Sequence, residues 1–123
     1  MDTLGIGMVG YGMIGRVHSL GYRDLPLMYP GALPVPRLAA VCTSRPETAQ
    51  AAAQEAGFAA WTSDLAEMLA RPDVDVVECS VPNDRHRDVL LAAIAAGKHI
   101  YCEKPLALTG GEAREVARAA RQA

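Results

Sequence analysis

A doubly wound parallel α/β sheet, covered by helices on both faces, is the fold that this 123-residue sequence predicts. Three observations predict it. Short apolar runs alternate with helical segments along the whole chain. A glycine-rich turn, Gly10-Tyr11-Gly12-Met13-Ile14-Gly15, stands between the first apolar run and the first helical segment. The apolar runs are nearly continuous, as strands buried on both faces are. With 50% hydrophobic and 21% charged residues, the chain has the composition of one globular domain, residues 1–123, able to bury a core.

The first strand is Leu4–Val9, an apolar run that stops at Gly10. Met13–Leu25 reads as a helix opening from the glycine turn. Pro26–Pro36, with four prolines and Gly31, reads as a loop. Arg37–Thr43 is the second strand. Ser44-Arg45-Pro46-Glu47 has capping-box spacing, and the Ala-rich helix that it opens should end at Gly57. Ala59–Trp61 is a short third strand, and Ser63 is placed to cap a helix running to Ala70. Val74–Val81 is the fourth strand, Asp84–Ala96 a helix closed by Gly97, and His99–Glu103 the fifth strand. Thr109-Gly110-Gly111-Glu112 is a second capping box, opening the last helix. The strand order that follows is 3-2-1-4-5.

Several functions are disfavoured by composition. A net charge of −2 offers no basic surface to neutralise phosphates in series, so nucleic acid is not an expected partner. No apolar stretch approaches the roughly 20 residues of a membrane span, and Met1-Asp2-Thr3-Leu4 carries no basic start of a leader. Cys42, Cys79 and Cys102 lie in apolar runs at wide spacing, unlike a zinc site or a disulfide framework. They read as reduced core residues of a cytoplasmic protein, with no metal implied.

The glycine turn carries chemistry because of its context, after a strand and at the start of a helix. Gly10 permits the tight turn, Gly12 lets backbone approach a pyrophosphate, and Gly15 lets helix and strand pack closely. With Met13 and Ile14 they present free N–H groups and the positive end of a helix dipole to phosphates. This is the fingerprint of a Rossmann domain that holds NAD or NADP. The end of the second strand should meet the adenosine ribose, where NAD-specific sites place Asp or Glu. Thr43, Ser44 and Arg45 stand there instead, two hydroxyls and a guanidinium suited to a 2′-phosphate, so NADP is favoured. Alternatively Ser44 is only a helix cap and Arg45 a solvated first-turn residue.

Two later motifs are more specific: Pro82-Asn83-Asp84-Arg85-His86, then Gly97-Lys98-His99 leading into Glu103-Lys104-Pro105. Through them the whole chain resembles the N-terminal domain of the glucose–fructose oxidoreductase / inositol dehydrogenase / rhizopine catabolism (Gfo/Idh/MocA) family. The resemblance implies that Pro82 and Asn83 line the cofactor crevice, with His86 one turn further on. It also implies that Glu103 lies by the nicotinamide and that Lys104 is catalytic, faces the substrate and assists proton transfer as a hydroxylated substrate such as a sugar or polyol is oxidised. Partial burial of Lys104 between a buried strand and Pro105 would bring its pKa toward a useful range.

Blander readings stand beside these. His18 and His99 read as structural, Lys98 as a solvated cation at a helix end, and Asp84, Arg85, Arg87 and Asp88 as a solvated first turn. His86 suits helix packing and cleft lining equally, and Trp61 suits the cleft edge or the core. Members of the family are longer and carry a second domain that holds most of the substrate pocket. Without it this chain reads as a fragment, not expected to turn over substrate alone, whose fifth strand forms an edge prone to self-association. A non-catalytic NAD(P) sensor and one half of a split enzyme are the alternatives.

Overall fold

The structure, a computed structural model, describes residues 2–123. Its strands are β1 (Thr3–Val9), β2 (Val35–Cys42), β3 (Ala60–Thr62), β4 (Val76–Cys79) and β5 (His99–Cys102). Its helices are α1 (Met13–Met28), α2 (Pro46–Ala56), α3 (Leu65–Leu69), α4 (His86–Ala95) and α5 (Gly110–Gln122). Every strand pair is parallel. The order β3-β2-β1-β4-β5 is the expected doubly wound arrangement. The chain winds outward from β1 to β3, then crosses back to β4 on the other side of β1. The crevice at that switch, past the C-terminal ends of β1 and β4, is where such sheets bind ligands.

Apolar layers cover both faces of the sheet, which is why its strands read as continuous apolar runs. On one face Ile6, Met8, Leu38 and Val41 pack with Ala52, Ala53 and Ala56 of α2 and with Phe58. On the other, Ala39, Val77 and Cys79 meet Met68 of α3, Leu90 and Ala93 of α4 and Val116 of α5. Gly57 and Gly97, at φ 86° and 73°, close the helices before them in the left-handed conformation that glycine adopts without strain.

Several local expectations are corrected. Helix α1 does not stop at Leu25 but runs through Pro26 to Met28, and β2 begins at Val35. Pro36 is tolerated there because β3 pairs only with Ala40–Cys42, leaving the start of β2 without a neighbour on that side. The capping box at Ser44 and Glu47 does not form. Pro46 takes the first helical position, which makes Arg45 the N-cap, with no side-chain cap. Asp64, rather than Ser63, caps α3, accepting from the Ala66 N–H. Strand β4 is shorter than Val74–Val81, and Asn83–Arg85 forms a 3₁₀ turn before α4. Thr109 does cap α5, accepting from the Glu112 N–H at 3.1 Å, while Glu112 reaches back to Leu108 N–H. Lys98 is not a free cation: its Nζ donates to the carbonyls of Arg71 and Val74 at 2.9 and 2.8 Å. Arg87 forks onto both oxygens of Glu115, joining α4 to α5.

Candidate functional site

A cleft of about 680 Å³ opens at the switch point, lined by the glycine turn, the end of β2, Ser63 and Leu65, and the segment after β4. The turn shapes its floor. Gly10 is held at φ 87°, and a Cβ there would lie 2.8 Å from the Ser80 carbonyl oxygen. A Cβ on Gly15 would lie 2.8 Å from the Gly10 carbonyl oxygen, so α1 could not approach β1. Both glycines are therefore required by the fold. Gly12 is different: a Cβ there meets no atom within 4 Å and would project into open space. No side chain caps α1, so the N–H groups of its first turn are free for a ligand or water.

Among the predicted residues, Gly10, Gly12, Met13, Ile14, Thr43, Ser44 and Pro82 all line this cleft. Gly15 is buried beneath it. Thr43 is fixed by its hydroxyl, which lies 2.6 Å from that of Thr48 and 3.0 Å from the Arg45 carbonyl. Arg45 is exposed at the N-cap of α2, outside the lining. Asn83, Glu103 and Lys104 are not part of the lining either, although they emerge at the same C-terminal edge of the sheet. Arg85, expected in a solvated turn, contributes the only charged side chain of the lining among the described residues. Trp61 is 44% exposed on β3 and is neither core nor cleft wall.

Of the two roles open to His86, packing and cleft lining, its side chain takes the first and is not part of the lining. It is 1% exposed, with Nε2 2.8 Å from the Val81 carbonyl oxygen and Nδ1 2.9 Å from that of Pro105. The ring thus ties the segment after β4 to the segment after β5. It is a strut between the two loops that carry Pro82-Asn83 and Glu103-Lys104. Lys104 itself is exposed, not half-buried as expected.

Sequence reasoning missed a polar cluster behind the cleft. Glu78, in the middle of β4, is fully buried on the face covered by α1. Its carboxylate accepts from Tyr22 Oη at 2.6 Å, and His18 Nδ1 lies 2.7 Å from the other oxygen. Ser80, which lines the cleft, lies 3.4 Å from that same oxygen. Burial, reinforced by the bond to Glu78, pushes the Tyr22 phenol well above its ordinary range. A charged residue inside an apolar strand was the available signal.

The three cysteines are free, but only Cys42 and Cys79 are fully buried; Cys102 is half-buried. Burial pushes the Cys79 thiol from 9.0 up to about 12. The unfolded chain therefore loses this proton above pH 9 while the folded chain keeps it. The stabilisation is complete below that pH and is lost as the pH rises toward 12, by at most about 1.4 kcal/mol per pH unit. Cys79→Val should flatten the alkaline fall in stability measured by urea unfolding between neutral pH and about pH 10. Identical pH slopes for the variant and the parent would contradict this assignment.

Fold and cleft together define the class: a nucleotide-binding α/β domain of the Rossmann type. The sequence profile described as "Oxidoreductase family, NAD-binding Rossmann fold" matches residues 4–123, and the chain belongs to this family, Gfo/Idh/MocA. It is 40% identical over 114 residues to levoglucosan dehydrogenase of Pseudarthrobacter phenanthrenivorans, covering 93% of this chain and 29% of that protein. It is 36% identical over 115 residues to inositol 2-dehydrogenase of Salmonella typhimurium, covering 93% and 32%. A solved levoglucosan dehydrogenase, in complex with NADH and L-sorbose, superposes with a TM-score of 0.94 at 39% identity over 98% of this chain and 32% of its own. The chain thus spans less than a third of the length of the relatives it matches.

Proposed function

We propose that the cleft binds NADP(H), in preference to NAD(H), for an oxidoreductase that acts on a sugar, polyol or related hydroxylated substrate. Gly12 carries the dinucleotide part of this reading. The fold explains the glycines at 10 and 15 but gives no reason for one at 12, whereas a pyrophosphate lying against the backbone does. The phosphates would sit at the N-terminus of α1, the adenosine ribose against Thr43 and Ser44, and the nicotinamide end beside Pro82, Asn83 and Glu103. When bound, the nicotinamide supplies or accepts the hydride. Lys104 holds or moves the proton of the reacting hydroxyl at its Nζ. The substrate class follows the names of the similar dehydrogenases, and a second domain would complete the substrate pocket.

No carboxylate lines the cleft among the described residues, its one charge is Arg85, and Arg45 stands beside Ser44. A 2′-phosphate is favoured by such a surface. Calorimetry should therefore show tighter binding of NADP(H) than of NAD(H), and Arg45→Ala should reduce NADP(H) affinity by about 1.5–3 kcal/mol. The NADH complex of the similar levoglucosan dehydrogenase favours a second reading, NAD(H) as the cofactor. Equal or tighter binding of NAD(H), unaffected by Arg45→Ala, would decide for that reading.

A further inference from the structure

We propose that His18 is a positioning residue for Glu103, held in orientation by the buried carboxylate of Glu78. The inference rests on the reading above that Glu103 stands at the nicotinamide end of the cofactor. Glu78 is 0% exposed, yet a parallel strand at this place could pack with an apolar residue at lower desolvation cost. Its partners give the reason for an acid. Tyr22, His18 and Ser80 all converge on it, and each can donate, so the two carboxyl oxygens satisfy them together as acceptors.

Nδ1 of His18 donates to Glu78, and the same ring turns Nε2 toward Glu103 Oε2 at 3.6 Å, a contact that attracts that carboxylate when Nε2 also carries a proton and the ring bridges two acids. Tyr101 of β5, in register with Glu78, packs edge-on to the ring at 6.0 Å and holds it from a third side. The other oxygen of Glu103, Oε1, accepts from the Lys104 backbone N–H at 3.1 Å. A continuous line of contacts, Tyr22–Glu78–His18–Glu103–Lys104, thus runs from α1 through β4 to the loop after β5. A carboxylate that orients an imidazole for work at its far nitrogen is a recurrent device. Here the far nitrogen faces Glu103. The groups facing the ring are Glu78 from β4, Tyr101 and Glu103 from β5 and the loop after it, and Tyr22 acting through Glu78 on its own helix.

The test compares NADH with ADP-ribose, which lacks the nicotinamide, by calorimetry on this chain. His18→Asn keeps a donor toward Glu78 and removes the ring edge that faces Glu103. It should weaken NADH by about threefold to tenfold while leaving ADP-ribose unchanged. Glu103→Gln should act in the same way, and the double variant should be no worse than either single one, because one contact is lost in all three. Glu103 is only half-buried, so its variant tests the contact even if His18→Asn unfolds. Equal weakening of both ligands, no weakening of NADH, or additive effects would overturn the inference. Failure of the unaltered chain to bind either ligand would overturn the cofactor reading, and this inference with it.

Discussion

Replacing Gly12 by valine should leave the fold intact and abolish binding of NAD(H) and NADP(H) alike. Its backbone is extended, at φ −81° and ψ −157°, so it needs no glycine for conformational reasons. A Cβ there touches nothing in the chain, and the valine methyls would extend into the cleft across the N-terminus of α1. They would fill the space in which phosphate oxygens could meet the free N–H groups of the first turn. Affinity should fall on the order of 100-fold or more, equivalent to about 2.7 kcal/mol. Gly15→Ala makes the opposite control. Its Cβ would press on the Gly10 carbonyl at 2.8 Å, so that variant should lose stability first. Retained binding in Gly12→Val, with a normal unfolding transition, would show that phosphates do not lie there.

Replacing Lys104 by alanine, in a complete enzyme containing this domain, should lower kcat by about 10²–10⁴-fold, the usual contribution of a positioned proton-transfer group. Cofactor affinity should be nearly unchanged, because Lys104 stands on the exposed loop after β5, outside the lining of the cleft. Its place is set from two sides: His86 ties the following Pro105 and Leu106 carbonyls to the segment after β4, and Glu103 accepts from its backbone N–H. The comparison that decides is kcat against the dissociation constant of NADH. A variant that lost cofactor affinity in parallel with kcat would make Lys104 a binding residue instead. A variant of unaltered kcat would remove it from the chemistry.

What could be read from the sequence is what local chemistry determines. The glycine turn is legible because strand, turn and helix follow one another within a dozen residues; the alternation of elements gives a doubly wound sheet, and the glycine fingerprint selects the order 3-2-1-4-5 among such sheets. Gly57 and Gly97 marked helix ends because their backbone conformation favours glycine. The cap of α2 is not legible locally, since Ser44 and Glu47 have capping-box spacing but Pro46 claims the first helical position. Other features needed the third dimension. His18 and Tyr22 meet Glu78 across sequence separations of 60 and 56 residues. Lys98 ends on the carbonyls of Arg71 and Val74, which nothing in its neighbourhood announces. His86 carries a family motif and lies near the crevice, yet both its nitrogens face backbone carbonyls. A motif gives the neighbourhood of a side chain and not its direction.

A dinucleotide is expected to lie across the glycine turn at the switch point of the sheet. Backbone amide shifts followed during titration with NADH and NADPH test it residue by residue. The largest changes are expected at Gly10–Gly15, Thr43–Arg45 and Asn83–Arg85, with Glu103 and Lys104 responding to NADH but not to ADP-ribose. Shifts confined instead to the separate hollow formed by Tyr22, Arg37, Glu55 and Gly57, with the glycine turn unmoved, would contradict it.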